Sequence, residues 1–121
     1  MAGNILSITI SLSNGSTANP LSLGKGYNVT QAGNNSNLQN FLATTAVLAI
    51  PLGAVGTLGF LAIINLDVTN YVDLAIDAAA ANKFCRLLAG QGVCLPAEPT
   101  ITYYSKANAA SVLLGLLAVE I

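Results

Sequence analysis

Residues 41–64, FLATTAVLAIPLGAVGTLGFLAII, carry no charge, and this run limits what the chain can become. At that length a helix would cross a bilayer. Yet Pro51, Gly53, Gly56 and Gly59 all stand inside it. Proline removes a helix hydrogen bond, and each glycine costs about 1 kcal/mol against alanine in a helix interior. No basic cluster flanks either end to set an orientation across a membrane. The run therefore reads as two buried strands joined by a glycine-rich turn, with no membrane partner.

The rest of the pattern is also strand-like. Leu6, Ile8, Ile10 and Leu12 alternate with Ser7, Thr9 and Ser11, the period of a half-buried strand, and Asn14-Gly15 follows as a turn signal. From Ser13 to Asn40 the chain is rich in Asn, Ser, Thr and Gly, a poor core former that reads as an extended polar arm or a long surface loop. Beyond it, strands are expected over 41–50, 59–65, 71–77, 83–89, 92–95, 100–105 and 111–120. That spacing predicts an all-β fold, a β-sandwich (jelly-roll-like) of about eight strands. The expected organisation is an N-terminal strand and polar arm over 1–40 and a sandwich core over 41–121, in one domain overall. Val72, Leu74 and Ile76 alternate with Asp73, Ala75 and Asp77, so the strand 71–77 is expected to have one wet face. Asp77–Leu88 has good helix formers, but a turn at Ala79–Asn82 followed by a strand is the preferred reading.

Charge and chemistry narrow the function. Only 7% of residues are charged and 54% are hydrophobic, against about a quarter charged in an ordinary soluble domain. Much of the surface of such a chain is expected to be covered by neighbouring subunits. The cations Lys25, Lys83, Arg86 and Lys106 are scattered singly, too few to neutralise phosphates, so nucleic acid is not an expected partner. With no histidine, neither a Ser-His nor a Cys-His pair can be built, and two cysteines alone cannot complete a zinc site. No catalytic residue, cofactor or metal ligand is expected, and the N-terminus shows no secretory signal. Cys85 and Cys94 read most simply as buried thiols, with a hairpin disulfide as the alternative.

Two groups of residues stand out. In NLDVTN, residues Asn65, Asp67, Thr69 and Asn70 read as a structural turn, where Asp and Asn usually bond their own backbone. A calcium site through Asp67, Asp73 and Asp77 is the alternative, disfavoured because their spacing along a strand sets them apart. Tyr71, Tyr103 and Tyr104, with Lys106 beside them, are the candidate interface residues. Paired tyrosines in a strand more often place one ring in the core and one at its rim.

The run GTLGFLAIINLDVTNYVDLAID, followed by YYSKANAASVLLGLLAVEI, resembles small accessory virion proteins of tailed bacteriophages, of the capsid decoration or cement type. The matching stretches are Gly56–Val72 and Tyr104–Val112. Ala89-Gly90-Gln91-Gly92 stands where such proteins often carry a Gly-Glu turn. The resemblance implies a β-sandwich that binds between major capsid proteins as a homo-oligomer, a trimer in the leading version. It also implies a place on the capsid surface of a virion assembled in the bacterial cytoplasm. The alternatives are a receptor- or glycan-binding head of a fibre, and a neck or tail component.

Overall fold

The computed structural model describes residues 5–15, 17, 18, 21–31, 33 and 35–121. Among them there is no helix, and ten strands pair in antiparallel sheets. The chain divides into two units, Met1–Asn34 and Asn35–Ile121.

The first unit is a hairpin. Strand β1 (Ile5–Ser13) pairs with β2 (Ser22–Thr30) in an unbroken register from Ile5 opposite Thr30 to Ser13 opposite Ser22. The tight turn suggested by Asn14-Gly15 does not form. The connection runs to Leu21, whose amide donates to Asn14 Oδ1 at 2.9 Å while the Asn14 amide donates to the Leu21 carbonyl at 3.0 Å. This longer loop sets the register. It places Leu23, Tyr27 and Val29 opposite Leu12, Ile8 and Leu6, so both strands turn one apolar face the same way. The segment 22–30 is a polar arm in the sequence reading, yet Leu23, Tyr27 and Val29 share that face with Lys25, which stands opposite Ile10, and glycines, Ser22, Asn28 and Thr30 lie between them. Average composition hid the alternation.

The second unit holds eight strands in two four-stranded sheets. The first has the order β3 (Ser36–Ala43), β10 (Val112–Glu120), β5 (Leu58–Asn65), β8 (Gly92–Pro96). The second has the order β4 (Leu48–Ala49), β9 (Tyr104–Ala107), β6 (Val72–Ala75), β7 (Lys83–Leu87). Only β6 and β7 are neighbours both in sequence and in a sheet; every other connection in this unit passes from one sheet to the other. This is the winding of a jelly roll. The inner faces meet in one core, with Leu61, Ile63, Leu114 and Leu116 from the first sheet and Val72, Leu74, Leu87 and Ala107 from the second.

Several boundaries differ from the sequence reading. The composition break at Asn40 is not a structural boundary: β3 starts at Ser36 and pairs with β10 from Ser36 to Ala43. The expected strand 41–50 divides into β3 and β4, because the chain crosses between sheets at 44–47. With β2, that division accounts for ten strands rather than eight. The strand expected at 100–105 lies at 104–107, after a turn in which the Ile101 amide donates to the Glu98 carbonyl. At Asp77–Asn82 the sequence reading holds: the preferred turn forms, followed by β7, and not the competing helix. The Asp77 carboxylate accepts from the amides of Ala81 and Asn82 at 3.0 and 2.7 Å, and Ala80 takes a φ of 53°.

Candidate interaction surfaces

The NLDVTN segment is a turn built by side chains. Asp67 Oδ2 accepts the amides of Thr69 and Asn70, at 3.0 and 2.6 Å, which holds its carboxyl below the usual carboxylate range. Asn65, fully buried at the end of β5, accepts the Asp67 amide at 2.8 Å and donates through Nδ2 to the carbonyls of Asn70 and Leu87 at 2.9 and 3.0 Å. The turn thus closes on itself and delivers Tyr71 to the start of β6. Asp67, Asp73 and Asp77 are each engaged by different partners, and among the described residues no group of three or more His, Cys, Asp or Glu gathers.

The outer face of the second sheet carries the ionic groups. The expected wet face of β6 is covered instead. Asp73 is only 6% exposed, since β6 lies between β9 and β7 and the long side chains of Lys83 and Arg86 on β7 reach across it. Arg86 donates to Asp73 through Nε at 2.7 Å and Nη2 at 3.2 Å, and Lys83 Nζ stands 3.1 Å from Oδ2. Arg86 first, and Lys83 with it, hold the Asp73 carboxyl below its ordinary range, while burial opposes them. On the other side of β6, Lys106 occupies the register position opposite Asp73, and Tyr104 that opposite Ala75. The Arg86 guanidinium lies 4.0 Å from the centre of the Tyr71 ring, a cation–π contact. Cations that looked scattered in sequence therefore converge: Lys83 and Arg86 both pair with one carboxylate, and Lys106 stands on the neighbouring strand. No local spacing could show this, because the strands that carry them are adjacent only in the sheet.

Of the candidate interface residues, Tyr71, Tyr104 and Lys106 belong to this face. Tyr103 does not. It is buried in the core, accepts the Glu98 amide at its hydroxyl at 3.1 Å, and packs edge-on against Phe84 with ring centres 5.9 Å apart. Strand alternation sends it inward where its neighbour points out.

The outer face of the first sheet has the opposite character. Leu42 stands opposite Leu113, and Leu117 lies between Leu38 and Ala62. Gly115 lies between Asn40 and Ile64, leaving room over which Leu66 lies. No charged side chain interrupts this patch, and Leu38 is 80% exposed. Antiparallel sheets ordinarily present a polar outer face to water, so an apolar one marks a surface made to be covered. Cys94 sits on this sheet, exposed, while Cys85 lies half-buried in the other sheet with its thiol pushed up by burial. Both are free thiols, and Cys94 is not the buried thiol expected of it.

The hairpin repeats the apolar theme. Leu6, Ile8, Tyr27 and Val29, at its base, are half-buried, whereas Ile10, Leu12, Leu21 and Leu23, toward its tip, are exposed. No protein-family model, no curated protein and no solved structure matches this chain.

Proposed function

We propose that this chain is a structural assembly subunit, a capsid decoration or cement protein of a tailed phage that binds between major capsid proteins and stabilises the shell. The observation that carries the assembly part is the uncharged apolar patch on the outer face of the first sheet, on a chain with 7% charged residues. Large interfaces resembling a divided core are formed by surfaces of this kind. The phage part rests on the sequence resemblance in Gly56–Val72 and Tyr104–Val112. The jelly roll is compatible with it but is also the fold of lectin domains, and a fold alone does not assign a function. In this reading the subunit is a homo-oligomer, a trimer, and the Tyr71, Arg86, Tyr104 and Lys106 face meets the shell, where many weak contacts add over a lattice.

The test is copy number and location in virions that carry the chain. A decoration subunit is present on the order of hundreds of copies per particle, spread over the shell lattice. A count of tens, or density confined to a fibre or neck in a cryo-EM map, replaces this reading with the receptor-binding or neck alternative.

A further inference from the structure

We infer that the outer face of the second sheet is a docking site for an acidic protein surface, with Arg86 held ready for a carboxylate of the partner. The inference rests on the assembly reading for the use of this face, and adds the chemistry of what the face meets.

The charges of the chain are unevenly placed. Lys83, Arg86 and Lys106 lie on this face with Asp73, three of the chain's 4 cations against one of its 5 acids. Three cations against one carboxylate give the face a net charge of +2, on a chain whose total is -1. Asp77 stands in the turn beyond β6, where its two oxygens accept the amides of Ala81 and Asn82. Lys106 makes no ion pair among the described residues. A chain with so few charges that gathers its cations on one sheet face presents them to an opposite charge from outside.

Arg86 is set for a directional contact. Its Nε and Nη2 donate to Asp73 at 2.7 and 3.2 Å, and its guanidinium carbon lies 4.0 Å from the centre of the Tyr71 ring. Asp73 is covered, whereas the Arg86 side chain remains 51% exposed. Nη1 makes no hydrogen bond among the described residues and keeps its N–H groups for a partner. A guanidinium already fixed loses little freedom when a carboxylate joins it, which is how preorganisation raises affinity. Lys106 stands two strands away from Arg86, about 10 Å at the usual strand spacing, so its long side chain reaches a second carboxylate on the same partner surface.

Other partners fit this face less well. Arg86 covers one side of the Tyr71 ring, which removes that side as a platform for a sugar ring or a base. A nucleic acid demands a run of cations that tracks its backbone, and three cations on two strands, one carboxylate between them, do not supply it. A few carboxylates on a protein surface match these cations in both number and spacing.

The experiment titrates the full ¹⁵N-labelled chain with a short polyglutamate peptide and follows the backbone amides and the Arg86 Nε–H by NMR. Shifts are expected on β6, β7, β9 and Arg86, with affinity falling about tenfold between roughly 20 and 200 mM salt. Arg86→Gln and Arg86→Lys should each weaken binding about tenfold, since the lysine keeps the charge but not the fork. Lys106→Gln should weaken it about threefold, whereas Lys25→Gln, which removes the same charge from the hairpin, should leave it nearly unchanged. The amide spectrum checks that each variant remains folded. Lys106 holds no ion pair in the chain, so its variant carries the test should the Arg86 variants unfold. Absence of shifts, shifts confined to other strands, equal losses from Lys25→Gln and Lys106→Gln, or tighter binding of tripolyphosphate than of polyglutamate each overturn the inference. Those failures leave the virion count standing, and a count of tens displaces the shell while leaving the titrations standing.

Discussion

Asn65 Nδ2 donates to the Leu87 carbonyl at 3.0 Å, and through this contact a side chain of the first sheet is tied to the backbone of the second. The same amide group also accepts from Asp67 and donates to Asn70. Asn65 has no solvent exposure, so each of these groups would be stranded without it. Asn65→Ala is expected to lower the unfolding free energy by about 3 kcal/mol, as unpaired buried groups cost roughly 1–3 kcal/mol each. Asn65→Asp keeps the acceptor but turns a carboxylate toward two carbonyl oxygens. It is expected to be as harmful at pH 7 and to recover in part as acid restores a donor. Urea melts at two pH values measure both.

Asp67 separates a backbone-capping role from metal binding. Asp67→Asn preserves an oxygen for the Thr69 and Asn70 amides and is expected to shift the melting temperature little, whereas Asp67→Ala lowers it by several degrees. Chelator is expected to leave the melt of the parent chain unchanged. A drop in melting temperature on adding chelator would reverse this account of the turn.

Acid is expected to destabilise the fold through three carboxylates at once. Asp67, Asp73 and Asp77 all titrate below the ordinary carboxylate value when folded, through backbone amides at Asp67 and Asp77 and Arg86 at Asp73. A depressed folded pKa means the unfolded chain binds the proton first. Their contribution is therefore complete above the unfolded value of about 4 and is lost as pH falls through the folded values. The denaturation midpoint should be flat from pH 7 to 5 and fall below pH 4. Asp73→Asn should show a shallower fall, while retaining the part due to Asp67 and Asp77.

Gly59 is a site of close approach. A β-carbon there would collide with the side chain of Ile121, whose amide is held by the Thr57 carbonyl at 3.1 Å. Gly59→Ala is expected to displace the end of the chain and cost about 1–3 kcal/mol, as overpacking does. Shortening the neighbour with Ile121→Ala in the same chain should recover much of the loss, a coupling that a double-mutant thermal melt reads directly.

How much of this was legible in the sequence depended on range. The alternation of Leu6–Leu12 and the turn signals of NLDVTN are local, and the sequence read them from residues close together. Strand β2 was hidden because Lys25 interrupts its apolar face and Gly24, Gly26 and Asn28 fill the other, so average polarity outweighed the period. The ionic cluster was hidden for another reason. Asp73 meets Lys83 and Arg86, with Lys106 at the register position on its other side, only because β9, β6 and β7 are adjacent in the sheet, a topological fact with no local trace. The covered flank of Asp73 follows from the same adjacency. The apolar outer patch lay in between. Near-continuous leucine in β10 implied cover on both faces, but which partner residues complete the patch required the register.

Strand β10, the last in chain order, lies between β3 and β5 at the middle of the first sheet. A nascent chain emerging from the ribosome therefore carries β3 and β5 with nothing to hold them side by side until residues near 120 have been made. Every pairing in that sheet except β5 with β8 waits on this strand, so the jelly roll closes as a late event rather than growing as it is synthesised. Until then its leucine-rich strands are open to chaperones, or to one another on neighbouring chains of a polysome.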